Sequence, residues 1–300
     1  MTVGVIEQTP FLNRQLKQED YCVDRYVVVG NPVSHSKSPL IHTCFAEQTG
    51  QALEYSALLA EEGHFVETMQ GFFEAGGKGA NVTVPFKQEA FALVDKTTPE
   101  AETARAVNTL YLDETGCLCG HNTDGLGLVR DVTANFGGTL KDRSVLILGA
   151  GGATRGILQP FLKQGPAEIV IANRTASKAE ALAEVFSRLA REMGQHTEVT
   201  GCGFDGLGSK SYDWLFNATS ASLQGEMPPL PTAMVSEASV CYDLMYSSQT
   251  TPFCQWAKNL GAGQVMDGLG MLVEQAAESF LVWRGIRPET GSVLKLLKSA

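Results

Sequence analysis

The stretch GAGGATRG at residues 149–156 directly follows the apolar run at residues 144–148, and it decides the fold expected for this chain. A buried strand that runs into a glycine-rich turn and a helix leaves free backbone N–H groups at the helix start, where a pyrophosphate can bind. A dinucleotide-binding turn is therefore predicted from five consecutive residues: Gly149, Ala150, Gly151, Gly152 and Ala153.

The next apolar run ends at Asn173, Arg174 and Thr175, where the adenosine ribose of a dinucleotide would lie. An acid there would hold the 2′-hydroxyl of NAD, but the chain has Arg174 and no acid. A guanidinium suits a 2′-phosphate, so the two motifs together predict NADP as the cofactor. A simpler interpretation stays open for each motif alone. Thr154 replaces the third glycine of the usual pattern, and an arginine is an ordinary surface residue.

Composition limits the class of protein. The 300 residues are 44% hydrophobic and 19% charged, with 31 glycines, which is typical of a compact α/β enzyme of two domains. The net charge of −10 argues against nucleic acid or a membrane surface as a partner, since both require a basic field. An anionic ligand would therefore need a locally positive site.

Cysteine usage and the N-terminus predict a cytoplasmic protein. The seven cysteines form no CxxC pair and no Cys/His cluster, so we expect reduced thiols and no metal site. The first residues lack a basic stretch followed by an apolar one, and no apolar run is long enough to span a membrane. Residues 1–24 are mixed and polar, and we interpret them as an N-terminal extension.

Strands and helices alternate in the second half of the chain, which predicts a doubly wound parallel sheet. The expected strands lie near residues 144–148, 168–172, 199–202, 213–217, 239–243 and 264–266. The expected helices lie near residues 123–136, 153–164, 176–193, 230–236, 251–260, 271–284 and 288–299. The first half mixes strands at residues 26–29, 53–59 and 79–84 with helices and a hairpin over residues 109–121.

Five polar segments of the chain contain candidates for chemistry, and each segment has a simpler local interpretation. Ser36 and Ser38 follow a strand and can donate hydrogen bonds to a carboxylate, although Ser38 before a proline also resembles an ordinary helix start. Thr83 and Lys87 lie at a strand end, where ligands bind in open α/β sheets. A lysine in such a place is more often a solvated surface residue.

The remaining candidates are Asn108, Asp124 and Gln275. Asn108 precedes the hairpin, so alone it is most simply a turn residue. Asn122 or Thr123 would cap the helix in which Asp124 occupies the first turn, a place that the helix dipole favours for an acid. Gln275 lies on a long helix and could simply be exposed.

Taken together and in order, these motifs resemble the shikimate dehydrogenase family. The resemblance runs from about residue 26 to the C-terminus and rests on nine segments: GNPVSHSKSP (30–39), NVTVPFK (81–87), AVNT (106–109), NTDG (122–125), GAGGA (149–153), NRT (173–175), NATS (217–220), YD (242–243) and DGLGML (267–272). Residues 1–24 lie outside it. His121 stands where many members have an acid or a tyrosine, and the segment 186–208 is longer than usual.

The resemblance implies the reversible NADPH-dependent reduction of 3-dehydroshikimate to shikimate, a step toward chorismate and the aromatic amino acids. It implies Lys87 and Asp124 as the catalytic pair. It also implies a substrate-binding set of Ser36, Ser38, Thr83, Lys87, Asn108, Asp124, Tyr246 and Gln275. The implied cofactor-binding set is Gly149, Ala150, Gly151, Gly152, Ala153, Asn173, Arg174, Thr175, Lys178, Thr219, Gly268 and Met271, with Arg155 as a further cation near the same pocket.

The resemblance also predicts the domain organisation. We expect an α/β substrate-binding domain at residues 25–122, completed by 269–300, and a Rossmann-like NADP-binding domain at 123–268. Two other functions stay open at this point, a quinate/shikimate dehydrogenase and a non-catalytic metabolite-sensing domain of the same fold. A homodimer is also left open, because nothing in the sequence fixes the oligomeric state.

Overall fold

The computed structural model describes residues 23–219 and 227–299, and these residues form two separate six-stranded sheets flanked by helices. This is the mixed α/β class expected from the sequence. Of the predicted extension at residues 1–24, positions 1–22 lie outside the described residues. The first strand begins at Asp24.

The first sheet has the strand order β2-β1-β3-β5-β6-β4. Strand β1 pairs in parallel with β2 and β3, whereas β5 runs antiparallel to both β3 and β6. Its elements are β1 (Asp24–Gly30), α1 (Ser38–Thr49), β2 (Leu53–Leu59), α2 (Phe65–Glu74), β3 (Gly79–Val82), α3 (Lys87–Leu93), β4 (Lys96–Thr97), α4 (Pro99–Ala104), β5 (Thr109–Leu112) and β6 (Leu118–His121).

The second sheet has the order β12-β11-β10-β7-β8-β9, and all its pairings are parallel. The order reverses at β7, and in open sheets of this kind ligands bind beyond the strand ends at such a point. Its elements are α5 (Asp124–Arg130), β7 (Ser144–Leu148), α6 (Gly152–Lys163), β8 (Glu168–Asn173), α7 (Ala176–Glu192), β9 (Glu198–Gly203), β10 (Trp214–Asn217), β11 (Val240–Asp243), α8 (Pro252–Asn259) and β12 (Gln264–Met266).

Two further helices, α9 (Leu269–Arg284) and α10 (Gly291–Ser299), return the chain to the first sheet. The Trp283 indole of α9 donates a hydrogen bond to the Leu110 carbonyl of β5 at 3.0 Å. Near the start of α9, Met271 packs instead against the core of the second sheet. Helix α9 therefore contacts both halves of the molecule.

Four predicted elements were wrong in part. Residues 230–236 hold only the short 3-10 turn Thr232–Met234, because the prolines around it lack the N–H groups that an α-helix needs. The last helix begins at Gly291 rather than 288, after the Glu289 carboxylate accepts the N–H of Gly291 and Ser292. Strand β3 ends at Val82 rather than at Val84, and Val84 lies outside the strand with 63% of its surface exposed.

The fourth difference concerns residues 123–136, which were predicted as one helix. The segment is α-helical only to Arg130 and continues as a π-helical turn at Asp131–Asn135. π-Helical turns inside helices frequently occur at functional sites.

Within the described residues, no helix combines the length and the apolar character that a membrane span requires.

Candidate functional site

A cavity of about 340 Å³ lies where the ends of β1 and β3 face the start of α9. Ten of the residues predicted for substrate, catalysis or cofactor line it: Ser36, Ser38, Thr83, Lys87, Asn108, Asp124, Tyr246, Gly268, Met271 and Gln275. These residues come from six separate stretches of sequence. The structure therefore brings the whole predicted substrate set to one place.

Lys87 and Asp124 form an ion pair in this cavity. The Lys87 ammonium donates a hydrogen bond to Asp124 Oδ2 at 2.6 Å, and the two side chains are 31% and 16% exposed. Lys87 is the first residue of α3 and Asp124 the first residue of α5, so each side chain projects from a helix start beside a strand end. Both groups are partly shielded from water and still reachable by a ligand.

Asn108 fixes the orientation of Asp124. Its amide nitrogen donates to Asp124 Oδ1 at 2.8 Å and lies 3.3 Å from Gln275 Oε1. Its amide oxygen accepts from the Thr109 hydroxyl at 2.8 Å and from the Thr123 N–H at 2.9 Å. Because both ends of the amide are bonded, Asn108 cannot rotate freely, and it is not the simple turn residue that its local sequence indicates.

Ser36 and Ser38 also line the cavity, at the start of α1. The Ser38 N–H donates to Ser36 Oγ at 3.2 Å. Lys37 occupies the cap position of the helix, and no side-chain cap is formed. The interpretation of Ser38 as an ordinary capping serine is therefore wrong, and its side chain lines the cavity. A helix start with two hydroxyls favours a carboxylate.

Thr123 likewise does not cap α5 with its side chain. Its hydroxyl donates instead to the Gln275 carbonyl at 3.0 Å, which connects α5 to α9. The backbone N–H of Asp124 donates to Asn122 Oδ1 at 3.2 Å, so Asn122 serves the helix start as one of the two expected alternatives.

The sequence prediction missed Asn81 as a cavity residue. Its amide oxygen accepts from the Tyr55 hydroxyl at 2.7 Å, and its amide nitrogen donates to Ser279 Oγ at 2.9 Å. The available signal was in the sequence, where the polar residues Asn81 and Thr83 alternate with Val82 and Val84. The lining is completed by Val28, Pro32, Val33, His35, Val82, Leu244 and Leu272. Of these, Val28 and Leu244 lie outside the nine quoted segments, and the other five lie inside them but were not predicted as site residues.

His42 is a fully buried histidine beside Tyr55, the tyrosine that bonds Asn81. Its ring stacks on Tyr55 with centroids 4.2 Å apart, and neither ring nitrogen has a hydrogen-bond partner within the described part of the chain. Burial lowers the pKa of His42 to about 3, and the nearby Asn81 amide offsets only a smaller part of that shift. The imidazole is therefore neutral in the folded protein at physiological pH.

This neutral histidine predicts an acid-sensitive fold. The unfolded chain binds a proton at His42 below about pH 6.5, whereas the folded chain does not until about pH 3, so stability is lost as the pH falls through that range. Between pH 6 and 5 this group alone should lower the free energy of unfolding by roughly 1 kcal/mol. Urea unfolding of His42→Phe at both pH values should show a smaller loss than the wild type. The exposed His196→Phe is the control, and an unchanged loss in His42→Phe would contradict the assignment.

A second cavity of about 840 Å³ lies beyond the ends of the strands in the second sheet. Eight predicted cofactor residues line it: Gly149, Ala150, Gly151, Gly152, Ala153, Asn173, Arg174 and Thr219. Gly149 has a φ of 102°, a value that suits glycine, and no atom lies within 4 Å of a Cβ added at Gly151 or Gly152. This open, side-chain-free turn at the start of α6 is a place where a phosphate can approach the backbone.

Thr154 takes the place of the third glycine for a visible reason. It is buried, and its hydroxyl donates to the Gly149 carbonyl at 2.8 Å across the turn. The substitution therefore stabilises the loop, and the departure from the usual glycine pattern does not weaken the site.

Arg174 lies at the edge of the second cavity, exposed at the end of β8. Three other predicted residues, Thr175, Lys178 and Arg155, do not line this cavity. Thr175 contributes its carbonyl, which accepts from Asn173 Nδ2 at 3.0 Å and so shapes the turn. Gly268 and Met271, predicted to bind cofactor, lie in the first cavity.

The second cavity also contains residues that no motif indicated. Phe204 and Asp205 follow β9, and Met227, Pro228 and Pro229 come from the connection before β11. Ser220, the last residue of the NATS segment, lies outside the described residues. Among the described residues, no cluster of three or more His, Cys, Asp or Glu side chains is placed to hold a metal ion.

The two cavities define the class of the protein. An ammonium–carboxylate pair in one cavity and a glycine-rich turn with an arginine in the other are the parts of a dinucleotide-dependent oxidoreductase. Three family descriptions match the chain: the shikimate dehydrogenase substrate binding domain at residues 28–110, shikimate / quinate 5-dehydrogenase at 131–223, and the shikimate 5'-dehydrogenase C-terminal domain at 268–298.

Individual relatives agree with these matches. The NADP(+) shikimate dehydrogenase of Alkalilimnicola ehrlichii is 53% identical over 275 residues, which cover 92% of this chain and 98% of the relative. The corresponding protein of Aeromonas salmonicida is 54% identical, covering 92% and 98%. A Thermus thermophilus shikimate 5-dehydrogenase, solved with NADP(H) and shikimate, is 31% identical with a TM-score of 0.78, covering 92% and 99%. The chain belongs to the shikimate dehydrogenase family.

Proposed function

We propose that this enzyme reversibly reduces 3-dehydroshikimate to shikimate with NADPH. The observation that carries the proposal is the 2.6 Å contact between Lys87 and Asp124 inside a cavity that Ser36 and Ser38 also line. To reduce a ring substrate that carries a carboxylate, a site needs groups that bind the carboxylate and a pair of groups that transfers a proton. The relatives at about half identity support the same substrate and cofactor.

The residues of the second cavity fit NADP. The turn Gly149–Ala153 offers backbone N–H groups without side-chain obstruction, as the pyrophosphate requires. Arg174 supplies a guanidinium at the strand end, where the 2′-phosphate would lie. We assign Asn173, Thr219 and Thr175 to the adenosine and phosphate surroundings. Lys178 is exposed outside the cavity and contributes at most a positive field.

The substrate-binding roles follow from position in the first cavity. We assign the substrate carboxylate to the Ser36 and Ser38 hydroxyls and the ring hydroxyls to Thr83, Asn108, Asp124 and Gln275. Asn108 already bonds both Asp124 and Gln275, so these acceptors are held in fixed directions before substrate arrives. Tyr246, Gly268 and Met271 line the remaining wall, where we expect the nicotinamide to meet the substrate.

The chain itself must manage one proton. NADPH, when bound, supplies the hydride that reduces the substrate carbonyl carbon. Lys87 Nζ donates a proton to the oxygen of that carbonyl, and in the reverse direction it accepts the proton from the substrate hydroxyl. Asp124 Oδ2 accepts a hydrogen bond from Nζ and keeps the ammonium aimed into the cavity. Asn108 in turn holds Asp124, so the acid is oriented through two fixed groups.

The proposal is tested by adding shikimate and then quinate to the purified chain with NADP or NAD and following NADPH or NADH absorbance. We expect turnover with shikimate and NADP, and much weaker turnover with quinate or with NAD. Comparable rates with quinate would favour the quinate/shikimate alternative, which the relatives do not favour. Binding of shikimate without any turnover would instead identify a metabolite sensor and overturn the proposal.

We also propose that the enzyme works in the cytoplasm. The six cysteines within the described residues are free thiols, as expected in a reducing compartment.

A homodimer would have a surface available at β2, which is an edge strand of the first sheet among the described residues and exposes Leu59. Light scattering of the purified protein at several concentrations tests the oligomeric state.

A further inference from the structure

Helix α9 carries site residues at two places along its length. Near its start, Met271 lines the first cavity, and one turn later Gln275 reaches Asn108. Further along, Ser279 accepts a hydrogen bond from Asn81. The later turns of α9 are thus held by the first sheet. The position of its first turn must be set by other contacts.

Tyr242 of β11 holds the first turn of α9. Its side chain is fully buried, and its hydroxyl oxygen accepts the backbone N–H of Met271 at 3.3 Å. This N–H is one of those at a helix start that have no acceptor within the helix. The same hydroxyl donates to Asp131 Oδ2 at 2.7 Å. One tyrosine hydroxyl therefore connects α9 to the π-helical turn that follows α5.

Asp131 packs directly against the same turn of α9. It is 4% exposed, and its second carboxylate oxygen accepts from Asn135 Nδ2 at 2.9 Å. A Cβ added at Gly270 would lie 2.0 Å from Asp131 Oδ1, so only a glycine leaves room for the carboxylate there. A buried charged group is costly unless it is bonded, and here the bonds come from Tyr242 and Asn135.

Helices α5 and α9 also touch one turn nearer the ion pair. A Cβ added at Gly127 would lie 2.5 Å from the backbone nitrogen of Gln275. α9 is thus approached closely at Gln275 by Gly127 of α5 and at Gly270 by Asp131 of the π-helical turn. Together with the hydrogen bond from the Thr123 hydroxyl to the Gln275 carbonyl, these contacts join the segment that begins at Asp124 to the first turns of α9.

We propose that Tyr242 and Asp131 are positioning residues that set the first turn of α9, and through Met271 the approach of the nicotinamide to the substrate. Neither side chain lines the cavity, so each acts through α9. The proposal rests on the proposed function. Its distinctive consequence is that removing one hydroxyl loosens the start of α9 and slows hydride transfer, without loss of substrate binding.

The test compares Tyr242→Phe with the matched control Tyr212→Phe, a buried tyrosine of the same half of the molecule in a different hydrophobic cluster. In the ligand-free protein, hydrogen exchange over residues 269–272 should be faster in Tyr242→Phe than in the control. In steady-state assays kcat should fall about 10-fold with KM for shikimate within about 2-fold, because small displacements of reacting groups are costly. The isotope effect on kcat with shikimate deuterated at the reacting carbon should rise.

Asp131→Asn supplies the second variant, since an amide oxygen can still accept the Tyr242 hydroxyl. We expect its exchange rates and kcat to lie between those of the wild type and Tyr242→Phe. Exchange and kinetics of Tyr242→Phe equal to those of Tyr212→Phe would overturn the proposal. So would a lower kcat with an unchanged isotope effect, because that result indicates only a smaller folded fraction. An inactive wild type would reject the proposed function itself, and the ligand-free exchange data would still separate the two failures.

Discussion

Replacing Lys87 by Met should lower kcat for shikimate oxidation by ~10²-fold or more while KM changes only a few-fold, because general acid–base groups contribute rates of this size. The variant removes the Lys87 ammonium, which contacts Asp124 in the substrate cavity. Methionine keeps most of the length of the side chain, so the cavity retains its shape. The measurement is a full set of initial rates with shikimate and NADP.

Lys78→Met is the matched control for this loss, since Lys78 is an exposed lysine just before β3. It should retain nearly the wild-type kcat and KM. Lys87→Arg adds a second comparison, because it keeps a positive charge but a guanidinium is a poor proton donor. Near-normal turnover in Lys87→Met would remove Lys87 from the mechanism, whereas an equal fall in Lys78→Met would attribute the effect to net charge.

The motifs predicted residues that the structure gathers in two cavities, and their roles in binding and catalysis stay a prediction. Lys87 and Asp124 are 37 residues apart, and each is a common surface residue when judged alone. Their meeting follows from the fold, since each begins a helix beside the first sheet, where ligands bind beyond strand ends. Periodicity alone placed the strands of the second sheet well, because buried parallel strands read as short continuous apolar runs.

Other features of the site depend on tertiary contacts that a local sequence pattern does not reveal. Asn81 was missed because its partners Tyr55 and Ser279 lie 26 and 198 residues away in sequence, and no local pattern indicates such distant bonds. The contact of Asp131 with Gly270 is of the same kind. Likewise Phe204 and Asp205 reach the second cavity only because β9 lies beside β8.

Exchanging Arg174 for Asp should reverse much of the preference for NADP over NAD. The guanidinium lies at the edge of the second cavity beside Asn173, where a 2′-phosphate would receive a charge-assisted contact worth roughly 1.5–3 kcal/mol. An aspartate removes that contact, repels the phosphate and offers an acceptor for the 2′-hydroxyl of NAD. The ratio of kcat/KM for NADP to that for NAD should therefore fall by about 10²-fold or more.

Arg188→Asp controls for the same change of charge, because Arg188 is an exposed residue of α7 that does not line the cavity. Its cofactor ratio should stay within about 3-fold of the wild type, as expected for an exposed charge screened by salt. Binding of 2′,5′-ADP and of 5′-ADP, measured by calorimetry, separates recognition from turnover: Arg174→Asp should weaken the first ligand far more than the second. Equal losses for NADP and NAD would place the 2′-phosphate elsewhere. A 2′-phosphate held by Arg174 is also how a chain with a net charge of −10 can attract an anionic cofactor, through a cation placed locally against the overall field.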